Sequence, residues 1–184
     1  MPTTPVPSAG DEHWAPPHLV LARRVLTYAG RLFPERDASG VVVEYSPLAG
    51  MAAVEHRYPA WALGPFSRIE PEFALPEQPG VFALVTAGVT RYVGHARDLE
   101  VAFGPRVGIG NISRRQAQHA RWEERCRLNR LITAEARGGR TVDLYVLAMD
   151  RRPWWRPAGG AAESPAAVAA ELVETNRGDW HLPE

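Results

Sequence analysis

Two β-prone runs joined through a glycine-bearing turn constrain this chain most. Val81-Phe82-Ala83-Leu84-Val85 and Thr90-Arg91-Tyr92-Val93 are rich in β-branched and aromatic residues, and Ala87-Gly88 lies between them. Glycine accepts the positive φ that tight hairpin turns need, so the runs are predicted to pair as a hairpin that brings Phe82 and Tyr92 close together. A third run, Thr141–Leu147, alternates as a strand does. Three helices are expected around these strands. Asp98 caps a short one through Phe103, a second runs from Arg121 to Arg137 and stops at Gly138-Gly139, and Ser164-Pro165 opens a third that reaches Asn176. Residues 151–160, rich in Trp, Pro and Gly, read as a loop.

Proline and aromatic residues shape the N-terminal part differently. Residues 1–17 are rich in Pro, Thr and Ser and read as a poorly ordered lead-in. From His18 to Phe33 the apolar residues Leu19, Val20, Leu21, Val25, Leu26, Tyr28 and Leu32 fall at helical spacing, with Pro17 at the start and Pro34 at the stop, so a helix is expected there. Val41–Tyr45 reads as a strand, and residues 46–79 as an ordered loop packing its rings on the rest. The expected organisation is a lead-in over 1–17, a helix-strand-loop extension over 18–75 and a main domain over 76–184.

Composition limits the chemistry. A chain of 184 residues with 45% hydrophobic and 23% charged residues can bury one good core. The single Cys126 excludes an intramolecular disulfide and a cysteine metal cluster. Without a basic flank and apolar core after Met1, and with no apolar run near the ~20 residues of a membrane helix, the chain is expected to be cytoplasmic with no membrane partner. All 21 basic residues are arginine, which excludes lysine Schiff-base chemistry, and the net charge of +0 gives no global pull toward nucleic acid. Locally the balance differs: Arg106, Arg114, Arg115, Arg121, Arg125, Arg127 and Arg130 face only Glu123 and Glu124. Such a stripe suits a phosphate backbone, or equally a solvated helix face with its acids paired to Arg127 and Arg130.

Gly80-Val81-Phe82, Tyr92-Val93-Gly94, the run Gly108–Ser113, the stretch Cys126–Asn129 and the closing Glu171-Leu172-Val173, in that order, resemble the GIY-YIG nuclease family over residues 76–184. The resemblance implies an α/β fold, a small three-stranded, mainly antiparallel sheet flanked by helices. It also implies phosphodiester hydrolysis of duplex DNA, with the second-triplet Tyr92 in the site and Glu171 binding Mg²⁺ or Mn²⁺. Arg106, Asn111, Arg114, Arg115 and Arg127 become candidate nucleic-acid contacts. Three family positions are replaced: the first-triplet tyrosine is Phe82, the helix arginine is Ala102 and the terminal asparagine is His181. Phenylalanine has no proton to exchange and alanine no charge. Losing one preorganised donor typically costs about 2.7–4 kcal/mol of transition-state stabilisation, so the activity implied is weak or lost.

Substitutes lie nearby in the sequence. His95 can serve as general acid or base, Arg97 can reach the phosphate that position 102 no longer holds, and His181 can bind a metal or leaving group. Each also has an ordinary structural reading, as a strand-end histidine, a surface arginine paired with Asp98 or Glu100, and an exposed near-terminal residue. Two classes of function therefore stand side by side: a diverged nuclease-like protein acting on or binding nucleic acid, and the same scaffold recruited to non-nuclease chemistry on a small molecule.

Overall fold

The structure, a computed structural model, describes residues 13–51, 53–106, 108–150 and 163–181. The hairpin expected at Ala87-Gly88 forms between β4 (Gly80–Thr86) and β5 (Val89–Ala96), and both turn residues take positive φ, 50° and 75°. The third expected run is β6 (Val142–Ala148), which lies antiparallel on the other side of β4.

Residues 18–33 do not form the expected helix. His18–Leu21 and Arg24–Pro34 are two antiparallel strands, β1 and β2, and β2 pairs with β6. Ile69–Pro71 adds β3 on β2, so the sheet has six strands in the order β1-β2-β6-β4-β5, with β3 beside β2, where three were expected. Two features conceal this in the sequence. The β1–β2 turn is Ala22-Arg23, with φ of 42° and 67°, and lacks the Gly or Asn that usually marks such a turn. A bulge between Tyr28 and Arg31 then shifts the register, so Leu26 and Tyr28 face one side of the sheet and Leu32 the other. The resulting apolar spacing imitates a helix. Val41–Tyr45 is likewise no strand, holding only isolated bridges from Val42 to Arg36 and from Tyr45 to Phe66.

Among the described residues five α-helices accompany the sheet: α1 (Val54–Arg57), α2 (Leu99–Phe103), α3 (Arg114–Ala117), α4 (Glu123–Arg137) and α5 (Pro165–Thr175). Asp98 caps α2 by accepting from Val101 N–H, and Ser164 caps α5 with Pro165 in the first turn, as expected. The helix expected from Arg121 begins with a 3-10 turn, Ala120–Trp122, before α4 proper. The loop read over 151–160 and most of the lead-in lie outside the described residues.

Because β4 is buried throughout, its side chains serve two cores in alternation. Phe82 and Leu84, with Tyr92, Val142 and Leu144, pack against Leu128 and Ile132 of α4. Val81, Ala83, Val85, Val93 and Tyr145 pack against Val168, Ala169 and Leu172 of α5. Each fully buried leucine contributes about 1.5–3 kcal/mol. A third cluster seats the 46–79 segment, as expected: Leu48, Phe66 and partly buried Trp61 meet Ile112 and Cys126. Burial pushes the Cys126 thiol up to about 12, so it is an inert packing residue. Asn129 fixes this segment to α4. Its amide accepts from Ser67 N–H at 3.1 Å and donates to Ser67 O at 2.8 Å and Ile109 O at 2.7 Å, all buried.

Candidate functional site

Tyr92 sits where the edge strand, α4 and the C-terminal segment meet. Strand alternation aims it at the α4 face, beside Phe82, with ring centroids 5.9 Å apart. The fit depends on Gly94, the cross-strand partner of Phe82. A Cβ there would lie 2.5 Å from Tyr92 Cε1 and 2.8 Å from Phe82 Cζ. The Tyr92 hydroxyl donates to Glu124 in the first turn of α4. Burial, then the adjacent Glu124 carboxylate, raises the Tyr92 pKa well above its usual value. Tyr92 therefore stays a protonated donor at neutral pH and does not serve as a base.

His181 completes this corner. Its ring stacks on Tyr92 at 4.5 Å and 19°, and its Nε2 accepts the Val93 backbone N–H at 3.0 Å. A nitrogen that accepts carries no proton, so the neutral ring holds its proton on Nδ1. Burial, then the Arg177 charge, lowers the His181 pKa, while Glu124 opposes the shift. One residue earlier, Trp180 N–H donates to Arg91 O at 3.0 Å, and Arg91 pairs with Asp179 at 2.8 Å. The C-terminal segment thus covers the open edge of β5. Gly178 permits the approach, since a Cβ there would collide with the Arg91 carbonyl. Between these elements lies a hollow of about 230 Å³ bordered by Glu124, Arg127, Arg177 and His181. It joins one carboxylate, a neutral imidazole and guanidinium groups, a set suited to holding an anionic ligand.

The other candidates are dispersed. Glu171 lies on α5, which packs against the opposite face of the sheet, and pairs with Arg24 at 3.0 Å beside Glu163. The Tyr92–Glu171 site implied by the resemblance is not formed. Mg²⁺ or Mn²⁺ at Glu171 would have to displace a guanidinium that already bonds two carboxylates, so the donor set does not fit that ion. Among the described residues no group of three or more His, Cys, Asp or Glu gathers elsewhere. His95 is exposed and, three residues after Tyr92 on the strand, projects from the other face. Arg97 is exposed beyond the strand end. Phe82 and Ala102 are both buried in the α4-side core, and neither borders the hollow.

Of the candidate phosphate contacts, Arg106, Arg114 and Arg115 are exposed and Arg127 is half-buried at the hollow. Asn111 is committed internally: its amide donates to Pro105 O at 2.9 Å and accepts from the Tyr45 hydroxyl at 3.0 Å. Glu124 and Arg177 went unread as site residues. The partner of Glu124 lies 32 positions away, and only the docking of α4 on β5 reveals it. No helix among the described residues is long and apolar enough to cross a membrane. Comparison of the chain with protein-family models, with curated proteins and with solved structures gave no match.

Proposed function

We propose that this is a diverged GIY-YIG-like protein that binds nucleic acid and whose phosphodiester cleavage by a metal-dependent route is weak or lost. The observation that carries the reading is the charge around α3 and α4. Arg114, Arg115 and Arg121 reach solvent, and Arg121 and Arg125 stack on Trp122 at 5.3 and 4.7 Å. Of the three acids on α4, Glu124 is bonded to Tyr92 and Glu135 to Arg140, leaving Glu123 against the arginines of this stretch. Cationic groups stacked on the half-buried Trp122 ring form a basic surface suited to phosphates. Weak cleavage follows from the protonated Tyr92, the distant Glu171 and the missing groups at Phe82 and Ala102.

A second reading, recruitment to chemistry on a small molecule, is favoured by the hollow at Glu124 and His181. Fluorescence anisotropy with duplex and with single-stranded DNA across a salt series separates the two. Nucleic-acid binding gives a log-log salt slope that falls by ~0.9 for each phosphate contact removed, as in Arg114→Ala or Arg115→Ala. A cleavage assay with Mg²⁺ or Mn²⁺ is expected to show little product. Absence of salt-dependent binding would reject the nucleic-acid reading.

A further inference from the structure

Helix α4 separates two hollows. On the flank of Glu124 and Leu128 is the one beside Tyr92 and His181, of about 230 Å³; the other, of about 330 Å³, lies toward Glu44 and Pro65 and is bordered by Arg130 and Arg137. Arg127 borders both. It is half-buried and makes no hydrogen bond or ion pair among the described residues, whereas Arg130 donates to Ala60 O at 2.7 Å and Arg137 pairs with Glu44 at 3.3 Å. A guanidinium with its donors unspent, set on a ridge between two concavities, is suited to a phosphate whose substituents extend to either side.

Resting on the nucleic-acid reading above, we propose that an unpaired strand crosses α4 here, with Arg127 gripping the bridging phosphate and flanking nucleotides entering the two hollows. Each hollow lies near the lower bound of ligand pockets, roughly 300 Å³, which suits a nucleoside-sized group and not a folded partner. A helix with its side chains is about 10–12 Å across, so a ligand reaching both flanks needs at least two linked nucleotides. A rigid duplex keeps its bases stacked inside and cannot fill both hollows. A single strand turns its bases outward at little cost.

Anisotropy titrations with labelled unpaired oligonucleotides of two, four and eight residues, competition by a mononucleotide, and a matched duplex test this. Wild-type affinity is expected to rise roughly tenfold or more from mononucleotide to tetranucleotide and to exceed that for the duplex. Arg127→Ala and Arg127→Gln, checked for an unchanged melting temperature, should remove that length step, while Arg114→Ala leaves it intact. Equal binding of duplex and single strand, unaffected at Arg127 but weakened at Arg114, would overturn the crossing and leave the nucleic-acid reading standing. Failure of every nucleic acid to bind would overturn both.

Discussion

The same strands present one face to α4 and the other to α5, and the two helices meet them differently: α5 through apolar contacts, α4 through polar ones as well. On the α5 side the residues that meet the helix are apolar, from Val81 and Ala83 to Leu172, with Arg24 meeting Glu163 and Glu171 at the rim. Asp143, also buried on this face of β6, is tied to His13 at 2.7 Å and to the Tyr28 hydroxyl. On the α4 side polar groups enter the interior and several of them join separate elements: Asn129 bonds Ser67 and Ile109, Tyr92 bonds Glu124, and His181 bonds the Val93 backbone. A rim carboxylate paired with an arginine is replaceable surface. A carboxylate bonded to a buried phenol fixes where a helix and an edge strand meet, and the hollow lies at that junction. Such polar contacts are costly to leave half-made, so perturbing the two faces should give different results.

The largest effect belongs to the α4 side. Asn129→Ala orphans the Ser67 N–H and the carbonyls of Ser67 and Ile109, all buried, and should cost about 3–5 kcal/mol in urea unfolding. Leu172→Ala on the other face creates only a cavity, at about 3 kcal/mol. The two should differ in kind as well. The Asn129 variant is expected to loosen residues 46–79 selectively in hydrogen exchange, and the Leu172 variant is not. Uniform loosening in both would mean that the amide clamp is ordinary packing.

Next comes Gly94→Ala, at about 1–3 kcal/mol, because the added methyl meets the rings of Tyr92 and Phe82. Displacing Tyr92 should also uncouple it from Glu124, visible as a changed near-ultraviolet circular dichroism signal. If the signal and stability stay unchanged, the ring is not seated on Gly94.

How far these features can be read in the sequence depends on how local they are. The β4–β5 turn, the Asp98 cap and the Ser164-Pro165 start each rest on adjacent residues and were legible. The β1–β2 hairpin was not, because Ala22-Arg23 carries no turn signal and the bulge before Arg31 breaks the alternation. In the site, Tyr92 and His181 could be singled out from short motifs. Whether Glu171 or Glu124 would be the carboxylate beside Tyr92 depends on which helix lies on which face, and strand alternation alone does not carry that information.

Smaller still is the contrast between two single-atom changes. Tyr92→Phe removes a hydrogen bond from a buried phenol to a carboxylate and should cost about 1–2 kcal/mol. Glu171→Gln weakens an ion pair whose carboxylate is 47% exposed, and should cost less than about 0.5 kcal/mol. Chemical denaturation of both variants measures the gap. Glu171→Gln proving the more damaging would reverse the reading of which face holds the site.

The last expected effect is on pH. His181 accepts the Val93 N–H through an unprotonated Nε2, and its folded-state pKa lies below the ordinary 6.5 because burial and the Arg177 charge disfavour the imidazolium. Between the lowered folded value and the unfolded value of about 6.5, the unfolded chain binds more protons, so stability rises with pH in that window. The contribution is complete above about pH 6.5 and is lost as pH falls from there through the folded pKa. Urea midpoints measured from pH 7.5 down to 5 should therefore decline for the wild type, and His181→Asn should flatten that part of the decline. Protonation also costs His181 its acceptor, so the cover over the β5 edge should loosen at the same time, read as faster amide exchange at Val93. A decline that persists unchanged in His181→Asn, with Val93 exchange indifferent to pH beyond its intrinsic rate, would assign the acid sensitivity to another group and leave His181 as a packing residue on Tyr92.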